Sequence, residues 1–437
     1  GTLYTALYAF PLNLKGLILI PVLTKTMDVS VYGAFVIAQT IISLLTGISN
    51  FGLESSLSRF LPTRKGTPEG AKLFYSIFWI SVAMNLGVFL LFLGFAEKIG
   101  LALGISTTTA ILVGGIIASS SIFGMAVEYF RAAEKFGLFL LIVGGRTYLE
   151  IAVIAFVAIS TRSLDAIFSS LFILAFIFAF VTTVWVSAKM GKPQAPSFHV
   201  GPYLKYSLPI IPSTLSDWVI NLSSRFLIGL LLGSAAVGLF NPPYALGSMI
   251  IFVPTIFVAM LPPLIARLHD TGDLTIFDEI IRYTLKYFLM IAIPVLFGSL
   301  ILSKPLITIL SNEKIANEGY YLTPIVVFGT IFYGCARILL HVLQTKLKTH
   351  LIAKAWFVAA VVNAFLNILL LKMFGMVVAA ISAAIAFVVA FAMIKKFTDE
   401  VHSLSFRGIA ITKMCLASAS MGVLLTVVLE TTSQNVF

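Results

Sequence analysis

Ala166-Ile-Phe-Ser-Ser-Leu-Phe-Ile-Leu-Ala-Phe-Ile-Phe-Ala-Phe-Val-Thr-Thr-Val-Trp-Val-Ser-Ala188 carries no charged residue from end to end. A helix needs about 20 apolar residues to cross the hydrocarbon of a bilayer, so this run reads as a membrane span. Twelve further runs qualify. The thirteen lie near 3–24, 31–57, 73–95, 101–127, 138–160, 166–188, 205–232, 236–263, 284–303, 320–343, 351–371, 376–394 and 408–429. Across all 437 residues, 59% are hydrophobic and only 11% charged. The mean hydropathy is +1.04. A soluble chain of this size has no means of hiding so much apolar surface, which excludes soluble enzymes, nucleic-acid binders and disordered scaffolds. The expected fold class is an all-α polytopic membrane protein.

The net charge of +11 first has to be tested as topology. With the N-terminus in the cytoplasm, the inner loops collect Arg59, Arg64, Lys65 and Lys72, then Arg131 and Lys135, and later Lys395, Lys396, Arg407 and Lys413. Few basic residues fall outside, among them Lys25, Lys98 and Arg162. The excess is therefore read as positive-inside bias, with no nucleic-acid partner. The chain opens at Gly1 with no basic n-region and no small-residue cleavage site, so no signal peptide is visible. The missing Met suggests that a short N-terminal piece is absent.

The loops are short. The longest are 189–204, rich in Gly and Pro, and 264–283, which holds an amphipathic helix starting at Asp273. The first reads as a cytoplasmic linker. It divides an N-terminal six-helix lobe, 1–188, from a C-terminal six-helix lobe, 205–396, with an additional transmembrane helix in 397–437. A repeat relates the halves. Val31-Tyr-Gly-Ala-Phe35 opens the second span and Ala236-Val-Gly-Leu-Phe240 opens the eighth, each after a helix with prolines near its start (Pro11; Pro209 and Pro212). Prolines also fall inside spans at Pro21, Pro242, Pro243, Pro254 and Pro294, where each removes a backbone donor and bends its helix. Gly375, Ala379 and Ala383 make one smooth helix face, suited to close packing.

Enzyme signatures are missing: no Walker loop, dinucleotide fingerprint, HExxH or cysteine-pair metal site. Cys335 and Cys415 read as small buried hydrophobes. Of the five histidines only His341 lies in a span. The informative residues are charges within apolar helices, which cost a few kcal/mol each unless they face water or a partner. Lys15 lies in the first span. Arg146 and Glu150, at i and i+4, share a face of the fifth and pair there or join a site. Asp217, Asn221 and Arg225 follow one another along the seventh. Arg337 lies in the tenth, and Glu54 and Arg59 near the inner end of the second. Lys15 and Arg225 have no opposite charge within a turn, which favours a water-filled cavity. The deep residues are basic in excess, so the cavity should attract anions. Arg and Lys suit phosphate, while Asn13, Asn221, Asn241 and Tyr244 suit sugar hydroxyls. The expected cargo is a lipid diphosphate carrying sugars.

Further stretches in order along the chain carry a resemblance. They are Val31 to Phe35, Gly52-Leu-Glu-Ser-Ser-Leu-Ser-Arg-Phe60, Phe130-Arg-Ala-Ala-Glu-Lys-Phe136, Tyr206-Ser-Leu-Pro-Ile-Ile-Pro212, Ser224-Arg-Phe-Leu-Ile-Gly229, Lys304-Pro-Leu-Ile-Thr-Ile-Leu310, Tyr320-Tyr-Leu-Thr-Pro324 and Asn363-Ala-Phe-Leu-Asn-Ile-Leu-Leu-Leu-Lys-Met-Phe-Gly375. Together they resemble the polysaccharide transporter family of the multidrug/oligosaccharidyl-lipid/polysaccharide exporter superfamily. The resemblance implies a flippase that moves polyprenyl-diphosphate-linked oligosaccharide across the cytoplasmic membrane by alternating access. It places Arg59 and Arg225 in the family's recurring arginine patterns, with Ser224 where an acid usually precedes the second.

The expected substrate-binding set is Lys15, Arg59, Arg146, Asn221, Arg225, Asn241 and Arg337. Glu150 and Asp217 are the candidates for coupling to an H+ or Na+ gradient, and no other cofactor or metal is expected. Partners are the lipid-linked oligosaccharide, membrane lipids and glycan assembly enzymes. A lateral opening between the first and eighth spans would leave the polyprenyl tail in the bilayer, with the thirteenth span flanking a tail groove. The alternative is a cation-coupled multidrug exporter of the same fold, against which Lys15 argues.

Overall fold

The computed structural model describes residues 15–191, 201–208, 211–254, 274–345, 348–401 and 408–434. Every regular element among them is a helix. Residues 15–26 form α1. Then come α2 (Val29–Ile48), α3 (Leu53–Phe60), α4 (Pro68–Gly94), α5 (Ala96–Leu103), α6 (Thr107–Ala132), α7 (Phe136–Thr161), α8 (Leu164–Met190) and α9 (Gly201–Ser207). They are followed by α10 (Ile211–Leu232), α11 (Ser234–Ser248), α12 (Leu274–Leu310), α13 (Glu313–Gly319), α14 (Leu322–Thr345), α15 (Thr349–Phe374), α16 (Val377–Val401) and α17 (Gly408–Gln434). Among the described residues, ten helices are long and apolar enough to span a membrane, and Leu222–Leu232 and Thr412–Val428 are shorter apolar helices. The expected first span is described only from residue 15, so Pro11 and Asn13 lie outside the described residues, as do Pro209 and 192–200 of the expected linker.

The chain divides into two packed units, Gly1–Trp218 with Gly233–Gly238, and Val219–Leu232 with Leu239–Phe437. Within the first, α6 is the hub and packs against α2, α3, α4, α5, α7 and α8. Within the second, α14 packs on α12, α15 and α16, while α17 lies along α12. These two hubs are the most buried spans, each 72% buried over its apolar stretch. Both reach that depth through small residues, which let neighbouring helices come close. Gly114 and Gly115 of α6 sit under Phe92 and Phe172, and Gly329 and Gly334 of α14 face Ala384 and Phe288. The small face of α16 serves the same purpose, with Ala379 and Ala383 buried. Large side chains such as Phe156, Leu141 and Met373 stand exposed on the outer helices, as a hydrocarbon solvent permits.

The two matching pentapeptides meet. A methyl group on Gly33 would lie 1.7 Å from the Ser234 carbonyl oxygen, and one on Gly238 would lie 2.2 Å from that of Val29. Each glycine thus receives the backbone four residues before the other. A contact built from the same offset on both sides is what a structural repeat produces.

Several boundaries differ from the sequence reading. The second span stops at Ile48 rather than continuing to residue 57. The chain turns there, and Gly52, with φ +69°, takes the left-handed conformation that caps the separate helix α3. The expected fourth span opens with the short α5, and α6 begins only after Ser106 caps it by accepting from the Thr109 amide. The amphipathic segment after Asp273 is continuous with the ninth span. That helix runs on through Pro294 and Pro305 to Leu310, well into the expected 304–319 loop.

Candidate functional site

In the first unit, three charged side chains from two helices converge. Arg146 and Glu150 are one turn apart on α7, and Arg146 Nε donates to Glu150 Oε1 at 2.9 Å. Lys15, on α1, donates from Nζ to Glu150 Oε2 at 2.5 Å. The Arg146 fork also donates to Ser120 Oγ of α6 at 2.6 Å, and its guanidinium stacks over the Phe123 ring at 4.5 Å. Lys15, Arg146 and Glu150 keep side-chain exposures of 24%, 11% and 18%, so the cluster is mostly desolvated but still reached by solvent. It lines a cavity of about 490 Å³ together with Gln39, Ser43, Thr46 and Thr147. Two cations against one anion leave that wall with one net positive charge.

The geometry changes how Lys15 is read. It has no counter-ion on its own helix, but α7 supplies one, and Glu150 is shared between Lys15 and Arg146. Both alternatives for the Arg146–Glu150 pair are realised together: it is an internal salt bridge, and it lines a cavity.

In the second unit, Arg225 on α10 donates from Nε to Asn241 Oδ1 of α11 at 2.7 Å, and its guanidinium lies 4.8 Å from the centre of the Tyr244 ring. Three residues singled out by sequence therefore form one arrangement. Arg59 is exposed on α3, stacked over Tyr206 at 4.9 Å. Arg337 is half-buried on α14, one turn before the buried His341. Asp217 and Asn221 sit on α10, and their side chains lie outside the described residues. Among the described residues, no cluster of three His, Cys, Asp or Glu is placed to hold a metal ion.

Sequence reasoning missed the neutral lining. Gln39, Ser43 and Thr46 face the cavity from α2. Their spacing of four and three residues puts them on one helix stripe, which was a usable signal. It also missed a buried amide network in the second unit. Asn367 Nδ2 donates to Ser382 Oγ at 2.8 Å and to the Asn363 carbonyl at 2.9 Å, and Ser223 Oγ donates to Asn363 Oδ1 at 3.4 Å. Beside it, between α15 and α16, lies an apolar cavity of about 400 Å³ lined by Leu366, Leu370, Phe374 and Ile381.

Known proteins share this architecture. The structure of the lipid II flippase MurJ in an inward closed conformation superposes with a TM-score of 0.76 at 15% identity, covering 98% of this chain and 93% of that one. An inward-facing multidrug resistance MATE family transporter of the MOP superfamily gives 0.69 at 13% identity, covering 94% and 95%. In sequence, the chain is 21% identical over 230 residues to the "Probable low-salt glycan biosynthesis flippase Agl15" of Haloferax volcanii, and the match spans 52% of this chain and 48% of that relative. Residues 209–369 match the MatE family. Residues 1–269, more than half of the chain, match the family described as "Polysaccharide biosynthesis protein". The chain belongs to the polysaccharide biosynthesis protein family and has the two-lobed, all-helical membrane fold of the flippases and multidrug exporters of the MOP superfamily.

Proposed function

We propose that the protein is a flippase that carries polyprenyl-diphosphate-linked oligosaccharide across the cytoplasmic membrane by alternating access, with its N-terminus on the cytoplasmic side. The observation that carries this reading is the cavity of the first unit, where Lys15 and Arg146 stand with Glu150 as their shared counter-ion. A diphosphate entering it can displace Glu150 from one cation and take that cation's hydrogen bonds, so the site is positive enough to bind and already neutralised enough to stay stable when empty. Gln39, Ser43, Thr46 and Thr147 offer the neutral donors and acceptors that sugar hydroxyls need. Arg225, held by Asn241 and Tyr244, is the corresponding cation of the second unit. Membership of the polysaccharide biosynthesis family and the likeness to a glycan biosynthesis flippase support a lipid-linked glycan as cargo. Glycan assembly enzymes are then its partners. An H+ or Na+ gradient is the proposed driving force, with Glu150 and Asp217 as the candidate coupling acids.

The competing reading, a cation-coupled multidrug exporter, draws on the MatE match over 209–369. A positively charged cavity disfavours lipophilic cations. The two separate by binding and transport in reconstituted vesicles. A fluorescent polyprenyl-diphosphate oligosaccharide should be translocated, and Lys15→Ala with Arg225→Ala should abolish this at normal expression. Undiminished translocation by the double variant, or preferential binding of lipophilic cations, would reject the flippase reading.

A further inference from the structure

A second acid of the first unit is placed very differently from Glu150. Where α2 ends, the turn through Gly52 folds Asn50 and Glu54 against α4 and α6. Asn50 is fully buried, as are Ser81 and Asn85. Its Nδ2 donates to Glu54 Oε1 at 2.6 Å and to the Ser121 carbonyl at 3.0 Å. Its Oδ1 accepts from Ser81 Oγ at 2.6 Å and from Asn85 Nδ2 at 2.7 Å. Asn85 Oδ1 is buried and has no hydrogen-bond partner among the described residues. The network is one donor short.

The charged groups facing Glu54 come from α6. They are Glu128 and Arg131, and Arg131 Nε is already bonded to Glu128 at 2.8 Å, with Ser58 donating to the same carboxylate. The other packed elements bring neutral groups: Ser81 and Asn85 from α4, and Tyr203 and Ser207 from α9. Arg59, on α3 itself, is stacked on Tyr206. Glu150 is held by two cations, whereas Glu54 is held by one neutral amide.

We infer that Glu54, with Asn50 and Asn85 as its relay, is a proton-binding site of the first lobe. Two hydrogen-bond arrangements follow from the geometry. With Glu54 ionised, the amides point as described and Asn85 Oδ1 is left unpaired. When Glu54 takes a proton from water, an O–H bond forms on its carboxyl and this becomes the missing donor. Asn50 then turns its amide to accept that O–H at Oδ1 and directs Nδ2 at a turned Asn85 Oδ1. Asn85 Oδ1, stranded in the ionised state, is then paired, and in exchange Asn85 Nδ2 gives up its bonds to Asn50 Oδ1 and to the Ser81 carbonyl. Desolvation pushes the Glu54 carboxyl above its ordinary range, and the charge of Glu128 adds to this against the opposing bond from Asn50. α3, which carries Glu54, also docks α9 through Ser56 Oγ donating to the Tyr203 carbonyl at 2.8 Å, so occupancy of the site bears on the segment that leads out of the first unit. Only the use of this proton in transport rests on the flippase reading; its binding is a property of the folded chain.

The test is infrared difference spectroscopy on the full-length protein in lipid bilayers, stepping from acidic to alkaline pH without substrate. A buried carboxylic-acid C=O band should titrate. It should be lost in Glu54→Gln and kept in Glu128→Gln and Glu150→Gln. In Asn85→Leu it should persist with proton affinity lowered about tenfold, the value of one good hydrogen bond. Survival of the band in Glu54→Gln, or an unchanged midpoint in Asn85→Leu, overturns the assignment. So does a band that responds to sodium at fixed pH, which would mean a metal cation instead. Because no glycan transport is read, failure here leaves the flippase reading standing, and failure of the flippase assay leaves the proton site standing.

Discussion

The cavities of the two units are lined in opposite ways. The first buries a Lys15–Glu150–Arg146 charge cluster at the wall of a cavity large enough for water. The second buries neutral amides and hydroxyls, Asn363, Asn367, Ser382 and Ser223, against an apolar cavity. The difference follows from solvation. Ions need water or a counter-ion within reach and lose several kcal/mol without them, whereas a neutral amide needs only one or two hydrogen bonds. A charged cavity wall and a neutral one have therefore been built on the same kind of helical scaffold.

The sharpest way to break this comparison is to remove the central anion. Glu150→Gln leaves Lys15 and Arg146 as two like charges on one wall. It should destabilise the folded protein by about 3–5 kcal/mol, as loss of one member of a buried ion cluster does. Lys15→Ala should cost clearly less, because Glu150 keeps Arg146. Thermal unfolding in detergent, followed on both variants, reads the order. If Lys15→Ala proves the worse of the two, Glu150 is not the centre of the cluster.

How far the sequence reveals these differences depends on what must be known. Spans such as Ala166–Ala188 are legible because hydrocarbon imposes its demand on every residue of a run. The split at Ile48–Gly52 is not, since a turn that breaks a span costs only two left-handed residues, Phe51 and Gly52, and leaves the apolar run intact around it. For the site, Arg146 and Glu150 were legible as partners because four residues along a helix fixes neighbours. Lys15 looked unpaired because its counter-ion comes from a helix 135 residues away in sequence. Asn50 and Glu54 have the same four-residue spacing, but nothing local indicates that Ser81, Asn85 and Ser121 complete the network around them. Such contacts depend on the rotation of each helix about its axis, which an apolar stripe all round leaves open.

Where α2 crosses the start of α11, both within the first unit, the matching contacts predict equal effects. Gly33→Ala and Gly238→Ala each place a methyl group within about 2 Å of a backbone carbonyl, and backbone cannot swing aside as a side chain does. Each should cost about 1–3 kcal/mol through forced separation of α2 and the start of α11. Because they meet at the same crossing, the double variant should cost less than the two singles combined. Unfolding measurements on the three proteins test this. Strict additivity would mean that the two glycines relieve separate clashes.

The smallest effect is expected from the neutral network, and it tests whether the surroundings of the second unit's apolar cavity are as uncharged as they look. Asn367→Leu keeps nearly the same volume. It removes donations to Ser382 Oγ and to the Asn363 carbonyl, together with an Asn367 Oδ1 that has no partner among the described residues. Ser382 Oγ still donates to the Ala379 carbonyl at 3.2 Å, and the Asn363 carbonyl belongs to a helix whose own bonds satisfy it. The substitution thus deletes moderate hydrogen bonds and one stranded acceptor at once, and those two contributions oppose each other. The net loss should be about 1 kcal/mol or less, several-fold below that of Glu150→Gln, and the same in sodium-containing and sodium-free buffer. A loss as large as that of Glu150→Gln, or one that appears only when sodium is present, would mean that the amides hold a charge in the folded protein. The contrast between the charged cavity of the first unit and the neutral cavity of the second would then have to be abandoned.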